Sequence, residues 1–223
     1  MRFILTDIEG TTTSVAFVYE LLFPYFMQNI AGFLHQPQAV GAKEYLHIAQ
    51  QTVFEAGGKL LSTDEMAQQL IDWTNEDRKH PALKAIQGLV WRFAYQNGEI
   101  KGHVFPDVPP ALARWKEKGI PLGVYSSGSV EAQRLLFGFS DFGDLTPYFS
   151  HYFDTQVGPK REAQSYRVIA KRLQFPAQEI LFLSDVEAEL DAAAVIGMQT
   201  IQVLRPGTEA GKKHRTVLDF SEI

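Results

Sequence analysis

The amino-acid sequence predicts an α/β protein: a doubly wound (Rossmann-like) parallel sheet whose first strand is followed by an all-helical insertion. Three observations lead there. Short apolar runs end in acids, hydroxyls or glycine, as strands buried on both faces do. The later runs are separated by apolar residues at helical spacing, and strands alternating with helices imply a parallel sheet covered on both sides. Between the first run and the next, only helical signals occur.

The first strand is Phe3-Ile4-Leu5, too short to form a helix alone, and it runs into Thr6-Asp7-Ile8-Glu9-Gly10-Thr11-Thr12-Thr13. The chain then reads as helical from about Phe17 to His103. Ser62-Thr63-Asp64-Glu65 has the form of a capping box ahead of Met66, Leu70 and Ile71. Pro81 suits the first turn of another helix, with Leu83, Ile86, Leu89, Val90, Phe93 and Ala94 on one face and a stop near Asn97-Gly98. The expected division is a core of residues 1–16 and 104–223 carrying an inserted helical module, 17–103.

Beyond the insertion, Leu112 and Trp115 follow Pro109-Pro110 in a helix that Gly119 closes. The run from Pro121 to Ser129 is a strand ending in Ser126-Ser127-Gly128-Ser129. A weaker strand is predicted over His151 to Thr155. Tyr166, Ile169, Ala170 and Leu173 fall at helical spacing. The last two strands begin at Ile180, ending in Ser184-Asp185, and at Thr200, ending at Pro206-Gly207.

Composition narrows the function. The 223 residues suffice for one large domain or a core with a module, and the formal charge is −5. That balance offers no electrostatic footprint for nucleic acid or an anionic membrane, so an anionic substrate must be held by local groups. There are no cysteines, which removes disulfides, thiolate metal sites and cysteine nucleophiles. The six histidines show no paired metal spacing, and no apolar stretch approaches membrane-spanning length. A cytoplasmic protein is the expectation.

The chemistry lies at the strand ends. In a doubly wound sheet, the strands bearing Asp7, Ser126 and Asp185 deliver these groups to one crevice at the carboxyl edge. Two carboxylates there repel unless a cation sits between them, and all-oxygen ligands suit Mg²⁺, which binds phosphate oxygens. The hydroxyls and N–H groups of the serine-rich turn and the Lys160 ammonium then hold the remaining phosphate oxygens. Such a set permits an aspartate to attack phosphorus while a second acid protonates the leaving oxygen, and Asp7 and Glu9 fit those roles. A serine-hydrolase reading of Ser126 fails for want of the G-x-S-x-G spacing and of a triad motif. Gly207 to His214 has a P-loop flavour but the wrong spacing, and reads as a surface loop.

Asp7-Ile8-Glu9-Gly10-Thr11-Thr12 resembles the first motif of the haloacid dehalogenase superfamily, usually Asp-x-Asp-x-Thr. Ser126 matches its hydroxyl motif, Lys160 its lysine motif and Ser184-Asp185 its closing acidic motif, in order. The Glu at position 9, with "LLFPY", "YSSGSVEAQRLLFG", "YFDTQVGPKREAQSY" and "ILFLSDVEAELDAA", resembles the enolase-phosphatase branch of methionine salvage. The resemblance implies an α/β core of that superfamily's type with a helical cap. It also implies a small phosphorylated substrate, 2,3-diketo-5-methylthiopentyl-1-phosphate, enolised and then dephosphorylated to an aci-reductone. By position it implies Asp7, Glu9 and Asp185 around the magnesium, and Ser126, Ser127 and Lys160 on the substrate. Nothing in the sequence requires more than a monomer. The rivals are a phosphatase for another small ester, a metal-free dehalogenase, which the acids at 9 and 185 argue against, and a non-catalytic binding domain. Glu189, next to these motifs, reads equally well as a ligand orienter or as part of a solvated face.

Overall fold

The computed structural model describes residues 1–223, and the chain divides into two compact units, Met1–Val15 with Lys101–Ile223, and Ala16–Ile100. The larger unit is built on one six-stranded sheet, all of whose pairings are parallel. Its strands are β1 (Phe3–Thr6), β2 (Leu122–Tyr125), β3 (Phe149–Phe153), β4 (Ile180–Ser184), β5 (Gln199–Val203) and β6 (Arg215–Val217), in the order β3-β2-β1-β4-β5-β6. This is the doubly wound order, which reverses direction beside β1. β1, β2 and β4 are buried at every position, which explains why the sequence shows them as unbroken apolar runs.

Helices α5 (Val108–Glu117), α6 (Val130–Gly138), α7 (Ala163–Leu173) and α8 (Glu187–Ala194) connect the strands. On one side of the sheet Phe3, Leu5, Phe153, Ile180 and Phe182 pack with Tyr166, Ile169 and Leu173 of α7 and Leu190 of α8. The alternation within β1 sends Phe3 and Leu5 to this face, as a period of two requires. Of the predicted elements, the weak strand at His151 is β3, which starts two residues earlier at Phe149. β6 had no signature in the sequence, since three residues cannot display a period.

The smaller unit is helical: a π-helical turn over Phe17–Leu22, then α1 (Phe23–Leu34), α2 (Lys43–Glu55), α3 (Thr63–Asn75) and α4 (Pro81–Gln96). The helices bury their own core, including Phe26, Ile30, Leu70, Trp73, Ile86 and Val90. Ser62 caps α3 as its spacing predicts: its hydroxyl accepts from the Glu65 N–H while the Glu65 carboxylate accepts from the Ser62 N–H. α4 is capped by the His80 ring, which accepts from the Ala82 N–H. Trp91 is tied by its indole N–H to the Leu22 carbonyl at 2.9 Å. No helix is long and apolar enough to cross a membrane.

Candidate active site

The site lies at the carboxyl ends of β1, β2 and β4, where the strand order reverses. β1 ends at Thr6, and Asp7 follows, held to the neighbouring strand by its N–H to the Leu183 carbonyl at 2.9 Å. A tight loop then forms around one acceptor: the N–H groups of Thr11, Thr12 and Thr13 all point to the Ile8 carbonyl, at 3.1, 2.9 and 3.0 Å. The hydroxyls of these threonines are equally committed. Thr11 exchanges hydrogen bonds with Asp185, donating to its Oδ1 at 3.2 Å and accepting from its N–H at 3.0 Å. Thr12 donates back to the Asp7 and Ile8 carbonyls, and Thr13 donates to the His103 carbonyl. The run of threonines thus shapes the loop and fixes Asp185.

Gly10 turns this loop with φ +75°, a left-handed conformation that side chains rarely adopt. A Cβ on Gly10 would stand 2.2 Å from Oδ2 of Asp185. Gly10→Ala is therefore expected to strain the loop and push Asp185 out of place. The expected outcome is a catalytic activity lowered by about 100-fold, with a reduced thermal midpoint in the same preparation.

Lys160 comes from the connection between β3 and α7 and is 7% exposed. Its ammonium bridges two carboxylates, Asp7 Oδ1 at 2.6 Å and Glu189 Oε2 at 2.8 Å. Burial works against its charge, but the carboxylates of Asp7, Glu189 and Glu9 outweigh burial and hold the pKa above the ordinary lysine value. Glu189, on α8, also accepts from the Ser184 hydroxyl at 3.1 Å. Burial first, and then the charge of Asp7, pushes its pKa up to about 7, against the pull of Lys160. Of the two readings the sequence left open, Glu189 faces inward.

The two acids of the first motif take different partners. Asp7 lies just beyond the strand and Glu9 in the loop that follows it. Asp7 turns to Lys160, whereas the Glu9 carboxylate accepts from the Ser126 hydroxyl, at 3.2 and 3.0 Å to its two oxygens. Ser126 is fully buried, and its Oγ accepts in turn from the Gly128 N–H at 3.0 Å. Burial, and then the nearby Asp7 charge, raise the Glu9 pKa. Ser127 follows in the same turn.

The donor set bears on a metal. No group of three or more His, Cys, Asp or Glu side chains is arranged to hold an ion by itself. Asp7 lies close enough to raise the pKa of both Glu9 and Asp185. Burial, and then the Asp7 charge, push the Asp185 pKa up to about 6, so the chain by itself leaves Asp7 and Asp185 under-compensated. Hard oxygen donors and surplus negative charge fit a small divalent cation.

One supporting residue had no sequence signal. Arg205, just after β5, makes a two-pronged salt bridge to Asp107 at 2.8 Å for each prong, and its Nε donates to the Thr11 carbonyl at 2.9 Å. Its guanidinium also stacks on Phe105 and Phe220, so the C-terminal turn and the first-motif loop share one anchor. The stretch Gly207 to His214 is no phosphate loop. The N–H groups of Lys212 and Lys213 donate to Glu187 at the start of α8, and Lys213 and His214 reach Asp191.

Comparison with known proteins agrees with this arrangement. A family model described as haloacid dehalogenase-like hydrolase matches residues 1–197. "Enolase-phosphatase E1" of Picosynechococcus sp. is 50% identical over 223 residues, covering 100% of this chain and 98% of its own. The protein of the same name from Erwinia tasmaniensis is 47% identical, covering 100% and 96%. Among solved structures, the UTR4 protein of Saccharomyces cerevisiae superposes with a TM-score of 0.84 at 33% identity, over 100% of this chain and 99% of its own. The chain belongs to the haloacid dehalogenase-like hydrolases and, within them, to the enolase-phosphatase family.

Proposed function

We propose that the protein is a Mg²⁺-dependent enolase-phosphatase that enolises 2,3-diketo-5-methylthiopentyl-1-phosphate and then hydrolyses the phosphate, yielding the aci-reductone of methionine salvage. The observation that carries this reading is the buried Lys160–Asp7 contact of 2.6 Å at the strand-order reversal, with a second acid, Glu9, at Ser126 beside it. In the phosphatase half, an Asp7 carboxylate oxygen attacks phosphorus and the bond from phosphorus to the substrate oxygen breaks, leaving an aspartyl-phosphate. Glu9, whose raised pKa favours the protonated form, gives its proton to the departing oxygen. The resulting Glu9 carboxylate takes a proton from water, the water oxygen attacks phosphorus, and Asp7 leaves as a carboxylate.

Lys160 offsets the repulsion between an anionic nucleophile and an anionic phosphate, and the hydroxyls of Ser126 and Ser127 with the Ser127 N–H receive the phosphate oxygens, the Ser126 N–H being given to the Phe153 carbonyl. The carboxylates of Asp7 and Asp185, with the backbone carbonyl of Glu9, would hold the magnesium. When bound, the ion supplies charge neutralisation at the phosphoryl group. The enzyme is taken as a cytoplasmic monomer acting on a small molecule, and its formal charge of −5 gives no footprint for nucleic acid or an anionic membrane.

The test is to supply the diketo phosphate and follow the enol absorbance and inorganic phosphate separately. Both signals are expected, with the enol first. EDTA should reduce phosphate release to background, and added Mg²⁺ should restore it. Phosphate without an enol signal would point instead to a phosphatase of the same fold acting on another small ester. Activity indifferent to EDTA would contradict the metal reading.

A further inference from the structure

We propose that Tyr125, Ser165 and Tyr166 are positioning residues that set where the Lys160 ammonium stands relative to Asp7. Lys160 belongs to neither a strand nor a helix, so no regular ladder holds it. Its segment is held by side-chain hydroxyls instead. Three successive carbonyls each receive one: Gly158 from Tyr125 at 2.8 Å, Pro159 from Ser165 at 2.7 Å, and Lys160 itself from Tyr166 at 2.7 Å. All three donors are buried, at 0, 1 and 0% exposure.

The donors come from rigid elements that already frame the site. Tyr125 is the last residue of β2, directly before Ser126, so its hydroxyl ties the lysine segment to the strand that carries the serine. Ser165 and Tyr166 lie in the first turn of α7, the helix that the lysine segment leads into. The two tyrosine rings meet edge to face with centroids 5.5 Å apart, and Tyr166 also packs on Phe182 of β4. Burial raises both phenol pKa values, that of Tyr125 to about 12, so both remain donors.

The segment's backbone is matched to this arrangement. Gly158 has φ +130° and ψ 177°, a region accessible essentially to glycine alone, and a Cβ there would lie 2.3 Å from Ser165 Oγ. Pro159 fixes the next φ. A rigid segment with all three carbonyls engaged leaves the ammonium little freedom, which suits a group that must reach Asp7 at 2.6 Å and Glu189 at 2.8 Å together.

The inference rests on Lys160 acting as the charge partner of Asp7, and the experiment separates the two. Tyr166→Phe and Tyr125→Phe each remove one oxygen and keep the ring, and Ser165→Ala is the smaller change should either tyrosine variant fail to fold. Each is expected to lower kcat/KM about tenfold or more, mostly in kcat. Because the hydroxyls act through one segment, Tyr125→Phe with Tyr166→Phe should lose little more activity than the worse single variant. Folded single variants within twofold of the parent, or activity losses that multiply in the double variant, would overturn the proposal. Lys160→Ala, measured alongside, distinguishes the cases: if it leaves kcat/KM intact the role of Lys160 fails, and if it alone is crippling only the positioning role fails.

Discussion

Asp7→Asn is expected to abolish phosphate release, lowering kcat by about 10⁴-fold or more, while the protein stays folded. The substitution keeps the shape and one acceptor oxygen. That oxygen can still receive the Ile8 N–H, which donates to Asp7 Oδ1 at 2.7 Å. What is lost is the negative charge and the nucleophile. An amide oxygen does not displace an alkoxide or enolate from phosphorus at a useful rate. The loss also removes one of the charges that Lys160 pairs with, so the ammonium keeps Glu189 as its contacting carboxylate. Circular dichroism of the purified variant should match the parent, and phosphate release should be undetectable above the uncatalysed background. Substantial activity in a folded Asp7→Asn protein would remove the assigned nucleophile.

Lys160→Ala is expected to lower kcat/KM by about 10³-fold or more and to destabilise the fold by about 3 kcal/mol. Both effects have one cause. Asp7 and Glu189 are 1% and 7% exposed, and the lysine is the cation that both touch. Without it, two buried carboxylates keep only neutral donors, the Ile8 N–H on Asp7 and the Ser184 hydroxyl on Glu189, with no cation between them, and an incoming phosphate adds to the repulsion. Lys160→Arg should not rescue the activity. A planar guanidinium cannot place one nitrogen between two carboxylates in the space that an ammonium occupies. Urea denaturation and steady-state kinetics on the two variants check both halves of this expectation. An unchanged kcat/KM in Lys160→Ala would contradict the role given to the lysine.

Much of the core was legible because its strands are buried on both faces, and such strands announce themselves as apolar runs with polar ends. Asp7, Ser126 and Asp185 were visible for that reason, and the structure brings them to one edge of the sheet. The capping box at Ser62 and the proline at Pro81 likewise act locally, so α3 and α4 could be read where they stand. What could not be read depends on direction or on distance along the chain. Glu9 accepts from Ser126, a partner 117 positions away, so its place beside Asp7 and Lys160 depends on how β1 and β2 pair. The inward turn of Glu189 depends on how α8 packs on the sheet. Arg205 finds Asp107 across 98 positions and Thr11 across 194, and the hydroxyl that holds the Lys160 carbonyl sits on what a periodic reading takes for a core tyrosine. β6 is too short to carry a pattern, and only its pairing with β5 defines it.

The central claim is that Asp7 carries the phosphoryl group during turnover. Acid quenching of the enzyme with its phosphorylated substrate, followed by mass analysis of the peptide containing Asp7, tests it directly. A phosphorylated Asp7 that forms within the first turnover and decays as phosphate appears is the predicted result. Phosphate production with that peptide unmodified throughout, or with the label on another residue, would contradict it.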